Sequence, residues 1–364
     1  MRAGARLGAL ALPLLLLAFA ACTPSAPEPG GEAGGKGWGT EPSVAATASG
    51  FVGNDACKPC HETEFASHAH TRHMQTLREG TQAALGPLAP PAGPIPGAGG
   101  EVTWDQGQLT VIVPNKDTGA PVPVPIDLVL GSGKTGMTCL AVHDQGSVEL
   151  RKSYFPPEKK WFFTPGMERY EKNVVAASLS APETVKCIAC HAVSPPDAPL
   201  LPERRFFGVG CESCHGPGGA HATAMQKGDK SKGLLLTALR GVGGKKVSAV
   251  CGKCHQTLES ITQDNLSKTA TNRFQPYGLS LSKCFQKSDD KLSCVTCHNP
   301  HEDASTDTKQ YEAVCVSCHA APKKACPVNP KEKCVSCHMP TRSAFANAEF
   351  SVSMADHFIR VFRK

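Results

Sequence analysis

Seven times along this chain, two cysteines stand two residues apart and a histidine follows at once. Motif 1 is Cys57-Lys58-Pro59-Cys60-His61, motif 2 Cys187-Ile188-Ala189-Cys190-His191 and motif 3 Cys211-Glu212-Ser213-Cys214-His215. Motif 4 is Cys251-Gly252-Lys253-Cys254-His255 and motif 5 Cys294-Val295-Thr296-Cys297-His298. Motif 6 is Cys315-Val316-Ser317-Cys318-His319 and motif 7 Cys334-Val335-Ser336-Cys337-His338. Together they take 14 of the 18 cysteines and 7 of the 14 histidines.

The pattern is that of covalent c-type haem attachment. Two thiols add across the two vinyl groups of one porphyrin edge, and the next histidine coordinates the iron. Disulfide frameworks, zinc ribbons and thioredoxin-type sites also pair cysteines. None of them demands a histidine after every pair, and here every pair has one. The expectation is seven covalently bound c-type haems. Their thioethers would form at Cys57, Cys60, Cys187, Cys190, Cys211, Cys214, Cys251, Cys254, Cys294, Cys297, Cys315, Cys318, Cys334 and Cys337. The proximal iron ligands would be His61, His191, His215, His255, His298, His319 and His338.

So many haems limit what the chain can fold into. Six motifs lie in the 184 residues from Ala181 to Lys364, about 31 residues per haem. Porphyrins would therefore form much of the apolar interior. The 35 glycines, 30 prolines and 6% aromatics agree, since such a chain has few large side chains for a core. The expected fold class is mainly α with much irregular structure, haem-packed, with a small β-rich haem-free insert near the N-terminal half. The formal charge of +6 is mild, and no basic stripe is interleaved with aromatics, so nucleic acid is not an expected partner. Haem propionates would make the loaded protein acidic.

The other seven histidines are His68, His70, His73, His143, His221, His301 and His357. Their number matches the haems and invites bis-histidine ligation. Residues His61 to Arg78 read as one helix, on which His70 and His73 share a face and His68 points away from His70. That segment would serve one or two haems, not three. Candidate distal ligands are His73, His221, His301, His357, His70 and His68. His357 would sit on an amphipathic tail helix over residues 354–360. His143 reads as a surface residue, with Met339 and Met354 as minor alternative ligands. Cys139 reads as a small core residue, and Cys284 and Cys326 as separate thiols or a disulfide.

Residues 1–21 carry Arg2 and Arg6 before an apolar run too short to span a bilayer, which suits a signal peptide. The run ends Phe19-Ala20-Ala21-Cys22, similar to a bacterial lipobox with Phe19 in place of the usual Leu. Cys22 is thus a candidate lipidation site; plain cleavage nearby is the alternative. Residues 22–50 read as a flexible tether. Residues 51–85 form the first haem segment, 86–180 the haem-free insert and 181–364 a six-haem domain. Within the insert, Glu101–Trp104 and Gln108–Val113 predict a hairpin around Gly107. Val122–Pro125 suits an edge strand, and Asp127–Leu130, Cys139–Val142 and Ser147–Leu150 are further strands. Trp161-Phe162-Phe163 is expected to anchor the insert against a haem.

Several stretches resemble the multihaem c-type cytochromes related to hydroxylamine oxidoreductase and pentahaem nitrite reductase, most closely the tetrahaem electron-carrier branch. Phe51-Val52-Gly53-Asn54-Asp55-Ala56-Cys57 through His73 is similar to the family's opening segment, except that its Trp falls at His68. Gly208 through His221 resembles its Cys-His-Gly-Pro-Gly block. Ser293 through His301 resembles its Cys-His-x-Pro-His block, and Cys334 through Pro340 with Met354 to Ile359 its closing segment. The resemblance implies a helical fold with stacked haem pairs, and distal roles for His73 and His221.

The expected function is electron transfer along a haem chain in the periplasm or at the outer membrane, with no catalytic residues assigned. Expected partners are other redox proteins, either multihaem cytochromes or a membrane quinol-linked complex, with a lipid anchor to the membrane. The alternative is a reductase or oxidase of a small nitrogen or sulfur species at one open-faced haem. No motif carries Lys in place of the proximal histidine, and the chain has four tyrosines, which disfavours the specialised active haems of the resembling enzymes.

Overall fold

The computed structural model describes residues 46–115, 117–164, 167, 175–232, 239, 241–262, 271–321, 326–328, 332–344 and 352–362. The predicted signal peptide, Cys22 and the tether through residue 45 lie outside the described residues.

A 3-10 turn, Asn54–Cys57, leads into motif 1. Helix α1 (Glu62–Ala69), strand β1 (Leu77–Glu79) and helix α2 (Gln82–Leu85) follow. Ten strands come next: β2 (Gly93–Pro94), β3 (Glu101–Asp105), β4 (Gln108–Pro114), β5 (Pro121–Pro125) and β6 (Leu128–Leu130), then β7 (Thr138–His143), β8 (Gly146–Leu150), β9 (Lys152–Phe155), β10 (Lys160–Phe163) and β11 (Ala176–Ser180). Short helices carry the remaining motifs: α3 (Ala181–Ala189), α4 (Cys211–His215), α6 (Gly244–His255), α9 (Cys294–Cys297), α10 (Thr308–His319) and α11 (Cys334–His338). Between them lie α5 (Gly219–Gln226), α7 (Gln275–Ser280) and α8 (Lys283–Gln286), and the chain closes with β12 (Thr341–Ser343) and β13 (Ser353–Ala355).

The strands form a five-stranded sheet in the order β1-β6-β7-β8-β11, a four-stranded sheet β2-β3-β4-β5, and the hairpins β9-β10 and β12-β13. All their pairings are antiparallel. The β3-β4 turn is Gln106-Gly107, with φ of 46° and 84°. Two successive left-handed residues give the two-residue turn whose twist matches paired strands. β5 lies at a sheet edge, where Pro121, Pro123 and Pro125 cost no interior ladder bond.

Alternating side chains of these strands build two apolar clusters. Val102, Leu109, Val111 and Ile126 pack with Met137, Cys139 and Tyr154 in the first. Cys139 is a buried core thiol there. In the second, Leu77, Leu128, Leu130 and Leu140 pack on Ile188 and Ala192, with Cys187 against them. Each fully buried aliphatic side chain stabilises the fold by about 1.5–3 kcal/mol. Motif 2 is thereby seated on the five-stranded sheet.

Three expectations need correction. The fold is not mainly α: the described residues are 34% helix and 22% strand, and they hold thirteen strands in four sheets. The physical reason is twofold. The motif helices last only one to three turns between glycines and prolines, and the sheet recruits β1 from the first haem segment and β11 immediately before α3. The helix expected over His61–Arg78 ends at Ala69. Thr71 Oγ1 donates to the His68 carbonyl at 2.7 Å, and Val209 N donates to the His73 carbonyl at 2.8 Å. These bonds divert carbonyls that helix continuation requires. The tail helix over 354–360 is absent too. β13 pairs with β12, and Asp356 N donates to Pro340 O at 3.1 Å.

The aromatic stretch of β10 packs inside the β-rich region. Trp161 lies 5.4 Å from Tyr154 and Phe162 meets Phe155 edge-on at 5.1 Å, while the Arg151 guanidinium sits 4.7 Å over Phe163. Cys284 is a half-buried free thiol, so the alternative of a disulfide to Cys326 is not realised.

Candidate haem sites

In motifs 3 to 7 both cysteines lie three residues apart on one helix and so on one face. Local capping fixes several of the motif turns. Ser180 and Glu183 form a capping box at the start of α3, and Ser293 and Thr296 do the same for α9. At α4, Cys211 N donates to Asn54 Oδ1 at 3.1 Å, and a β-carbon on Gly210 would lie 1.8 Å from that oxygen. Only glycine permits so close an approach. Buried Glu212, between the two cysteines of motif 3, accepts from Val52 N (3.0 Å), Gly53 N (2.8 Å) and Gly218 N (2.8 Å). One carboxylate thus joins the approach to motif 1, motif 3 itself and the start of α5, which bears His221.

The motif thiols are half-buried or exposed, open to a ring laid against them. Thiols of different motifs also meet. Cys57 lies beside Cys211, Cys254 beside Cys190 and Cys251 beside Cys294. The neighbouring thiol, together with burial, pushes Cys57, Cys254 and Cys251 up, and the neighbouring thiol pulls Cys190 and Cys294 down to about 7. Thioether formation removes the thiol protons, but the adjacency remains. Motif 1 lies beside motif 3, motif 2 beside motif 4, and motif 4 beside motif 5. Cys315 lies within electrostatic reach of both Cys297 and Cys334, which continues the series through motif 6 to motif 7.

The histidines carry the most information. An iron between two imidazoles has metal–nitrogen distances of roughly 2 Å, with each nitrogen about 1.1 Å from its ring centre, so the two centroids stand about 6 Å apart. Four motif histidines face a second histidine at that separation. His61 faces His221 at 6.3 Å and His255 faces His73 at 6.1 Å. His215 faces His301 at 6.3 Å, and His298 faces His357 at 6.2 Å. The interplanar angles differ: 31°, 76°, 23° and 36° in the same order.

Hydrogen bonds set the tautomers. His191 Nδ1 lies 3.1 Å from Thr76 O, His338 Nδ1 3.0 Å from Arg360 O and His357 Nδ1 3.0 Å from Ala355 O. A carbonyl only accepts, so Nδ1 donates and Nε2 keeps its lone pair for a metal. Burial pushes His191, His298 and His357 below the usual histidine range, which favours the neutral, metal-binding ring.

The other candidates are placed differently. His68 is buried, and its Nε2 lies 3.0 Å from Val209 O. Its ring stands 6.1 Å from His301 and 6.4 Å from His73, between two distal candidates and opposite no motif histidine. His70 is exposed at the end of α1, and His143 is exposed at the end of β7. Among the described residues, no second imidazole faces His191, His319 or His338. Gln275 Nε2 donates to Met354 Sδ at 3.8 Å. Sequence reasoning did not single out Tyr311 as a neighbour of motif 5: its ring lies 5.3 Å from His298, and its hydroxyl donates to Ser305 O at 3.0 Å. Tyr311 stands four residues before Cys315, one turn earlier on α10, and that spacing was the available signal.

Two cytochrome family models match parts of the chain. Residues 205–320 match the family model "Cytochrome c3", and residues 162–216 match "Cytochrome c554 and c-prime". The multiheme cytochrome MtrA of Shewanella baltica (strain OS185) is 26% identical over 192 residues, covering 41% of this chain and 56% of the relative. The chain therefore spans little more than half the length of that curated relative. Among solved structures, the outer cell wall cytochrome OcwA aligns with a TM-score of 0.49 and 15% identity, over 85% of this chain and 79% of that one. The undecaheme cytochrome from the S-layer of Carboxydothermus ferrireducens aligns with a TM-score of 0.45 and 18% identity, over 88% and 53%.

Proposed function

We propose that this multihaem c-type cytochrome binds seven haems and conducts electrons along them. The observation that carries the reading is the set of four imidazole pairs, each joining a motif histidine to a remote one at the separation one iron requires. Bound haem supplies one-electron redox chemistry; the chain's residues supply position, ligation and exposure. Each Cys-x-x-Cys pair fixes a ring, and the following histidine provides the proximal ligand. His221, His73, His301 and His357 complete motifs 1, 4, 3 and 5 respectively. His68 and His70 are not assigned as ligands in this reading.

The sulfur contacts order the sites. With Cys214 of motif 3 within electrostatic reach of Cys251 and Cys254 of motif 4, motifs 1, 3, 4, 5, 6 and 7 form a continuous series, and motif 2 branches from motif 4. Cys57 against Cys211 and Cys251 against Cys294 bring successive attachment edges together, which suits transfer between neighbours. The finer likeness to the hydroxylamine oxidoreductase and pentahaem nitrite reductase superfamily is supported by the blocks at Cys211–Gly218 and Cys294–His301. Residues 1–21 act as an export signal, and Cys22 anchors the chain by lipid at the periplasmic or outer-membrane surface. The partners are other redox proteins, multihaem cytochromes or a membrane quinol-linked complex. The segments 51–85, 86–180 and 181–364 serve as first haem segment, β-rich support and six-haem region.

Haem content and low-temperature electron paramagnetic resonance of the oxidised protein test this. The expected result is seven haems per chain, at least four of them low-spin, all reduced and reoxidised together by external mediators. Fewer than four low-spin haems would sink the ligand assignment, and redox isolation of the sites would sink the conduction.

One observation favours a second reading. His191 is oriented by Thr76 O yet faces no imidazole among the described residues. A small-molecule reductase or oxidase site would then lie at motif 2. Turnover of nitrite or hydroxylamine that disappears in a Cys187→Ser, Cys190→Ser variant would establish it.

A further inference from the structure

One short segment near the C-terminus touches the histidines of two motifs that are not neighbours. Strand β13 pairs with β12 in the register Thr341↔Ala355, Arg342↔Met354. That pairing delivers Asp356 to a buried position, where Arg342 Nη1 and Arg360 Nη1 each lie 3.2 Å from Oδ2 and Phe358 N donates to Oδ1 at 3.0 Å. The next residue is His357, whose ring faces His298 of motif 5. Three residues later the Arg360 carbonyl accepts from His338 Nδ1 of motif 7. Ser282 Oγ pins the middle, donating to His357 O at 3.1 Å and accepting from Ile359 N at 2.8 Å. A β-carbon on Gly278 would come within 3.0 Å of Phe358 N, so the segment lies flat against α7.

We propose that Ala355–Arg360 is a strap that couples the redox properties of motifs 5 and 7, with Asp356 as its positioning residue. The inference rests on the haem-binding reading above. Its physical basis is that a single backbone path sets the distal imidazole of one site and the proximal hydrogen bond of the other. Second-shell bonds of this kind tune a ligand's basicity and hence the potential of the metal it holds. The Asp356 carboxylate adds a buried negative charge one residue from His357 and in contact with Arg360, and would favour the oxidised state of both irons. Arg342 and Arg360 offset part of it.

Opposite charge changes on the two partners separate this role from a merely structural one. Asp356→Asn keeps the shape and removes the negative charge. Arg342→Gln, at a half-exposed side chain, removes one compensating positive charge. Haem content is measured on the full haem-loaded chain, followed by a potentiometric titration monitored by paramagnetic resonance. Asp356→Asn should raise two midpoint potentials, and Arg342→Gln should lower the same two, with haem content unchanged. His357→Ala identifies the motif 5 component by its change to high spin. Movement of one midpoint alone, of none, or in the same direction in both variants would overturn the coupling. A wild-type chain with fewer than seven haems would overturn the haem-binding reading instead, a result the haem assay reads separately.

Discussion

The Nε2 atom of His68 lies 3.0 Å from the carbonyl oxygen of Val209, a bond that requires a proton on that nitrogen. A protonated Nε2 has no lone pair for iron. The ring is instead wedged between His301 and His73, edge-on to the former at 81°. His68→Phe should therefore leave the number of low-spin haems unchanged while costing about 1 kcal/mol of stability for the lost hydrogen bond. Paramagnetic resonance checks the first outcome and denaturant titration the second. A new high-spin signal in this variant would restore His68 to the ligands.

The two most different ring pairs should be spectroscopically distinct. His73 and His255 are nearly perpendicular at 76°, whereas His215 and His301 are nearly parallel at 23°. Near-perpendicular imidazoles leave the iron's orbitals almost degenerate, which gives a strongly anisotropic low-spin signal; near-parallel planes give a rhombic one. His73→Met should abolish the anisotropic component, and His301→Met a rhombic one. The reverse assignment would contradict the geometry.

Glu212 should matter to stability more than its place between two cysteines suggests. Glu212→Ala orphans the buried N–H groups of Val52, Gly53 and Gly218. At about 1–3 kcal/mol for each unsatisfied donor, the total loss should be about 3 kcal/mol or more. Denaturant unfolding of the haem-loaded protein measures it. A change under about 1 kcal/mol would mean that water replaces the carboxylate at little cost.

Gly210→Ala should be destabilising through Asn54 alone. The new β-carbon would overlap Asn54 Oδ1 and displace it from Cys211 N, while Asn54 Nδ2 would lose its 3.2 Å bond to Phe207 O. Forcing an atom into such a packed contact costs about 1–3 kcal/mol. Adding Asn54→Ala should recover part of the loss, so the two changes would not be additive. Strict additivity would show that the clash lies elsewhere.

Legibility followed the range of the interactions. Strands β3 to β8 and the edge position of β5 could be read from period-2 alternation, Gly107 and three prolines. The sheet's reach into the first haem segment could not, because β1 is only Leu77-Arg78-Glu79 and owes its form to pairing with β6. The helix expected over His61–Arg78 failed for the same reason. Its periodicity was adequate, but a side-chain bond from Thr71 and a backbone bond from Val209 outcompeted the next turn.

The proposed covalent and proximal chemistry follows from the sequence alone. Thiol, thiol and histidine lie within five consecutive residues, so one turn of backbone suffices to present them in any fold that leaves the turn accessible. The pairing of each proposed second ligand with its motif comes only from the tertiary structure. His61 meets His221 from 160 residues away and His255 meets His73 from 182, across a carboxylate clamp and a strand register that no local pattern encodes. Seven spare histidines looked interchangeable in number. Burial and hydrogen bonding separated them, leaving His68 donating to a carbonyl, His70 and His143 in water, and four others each facing the histidine of a motif.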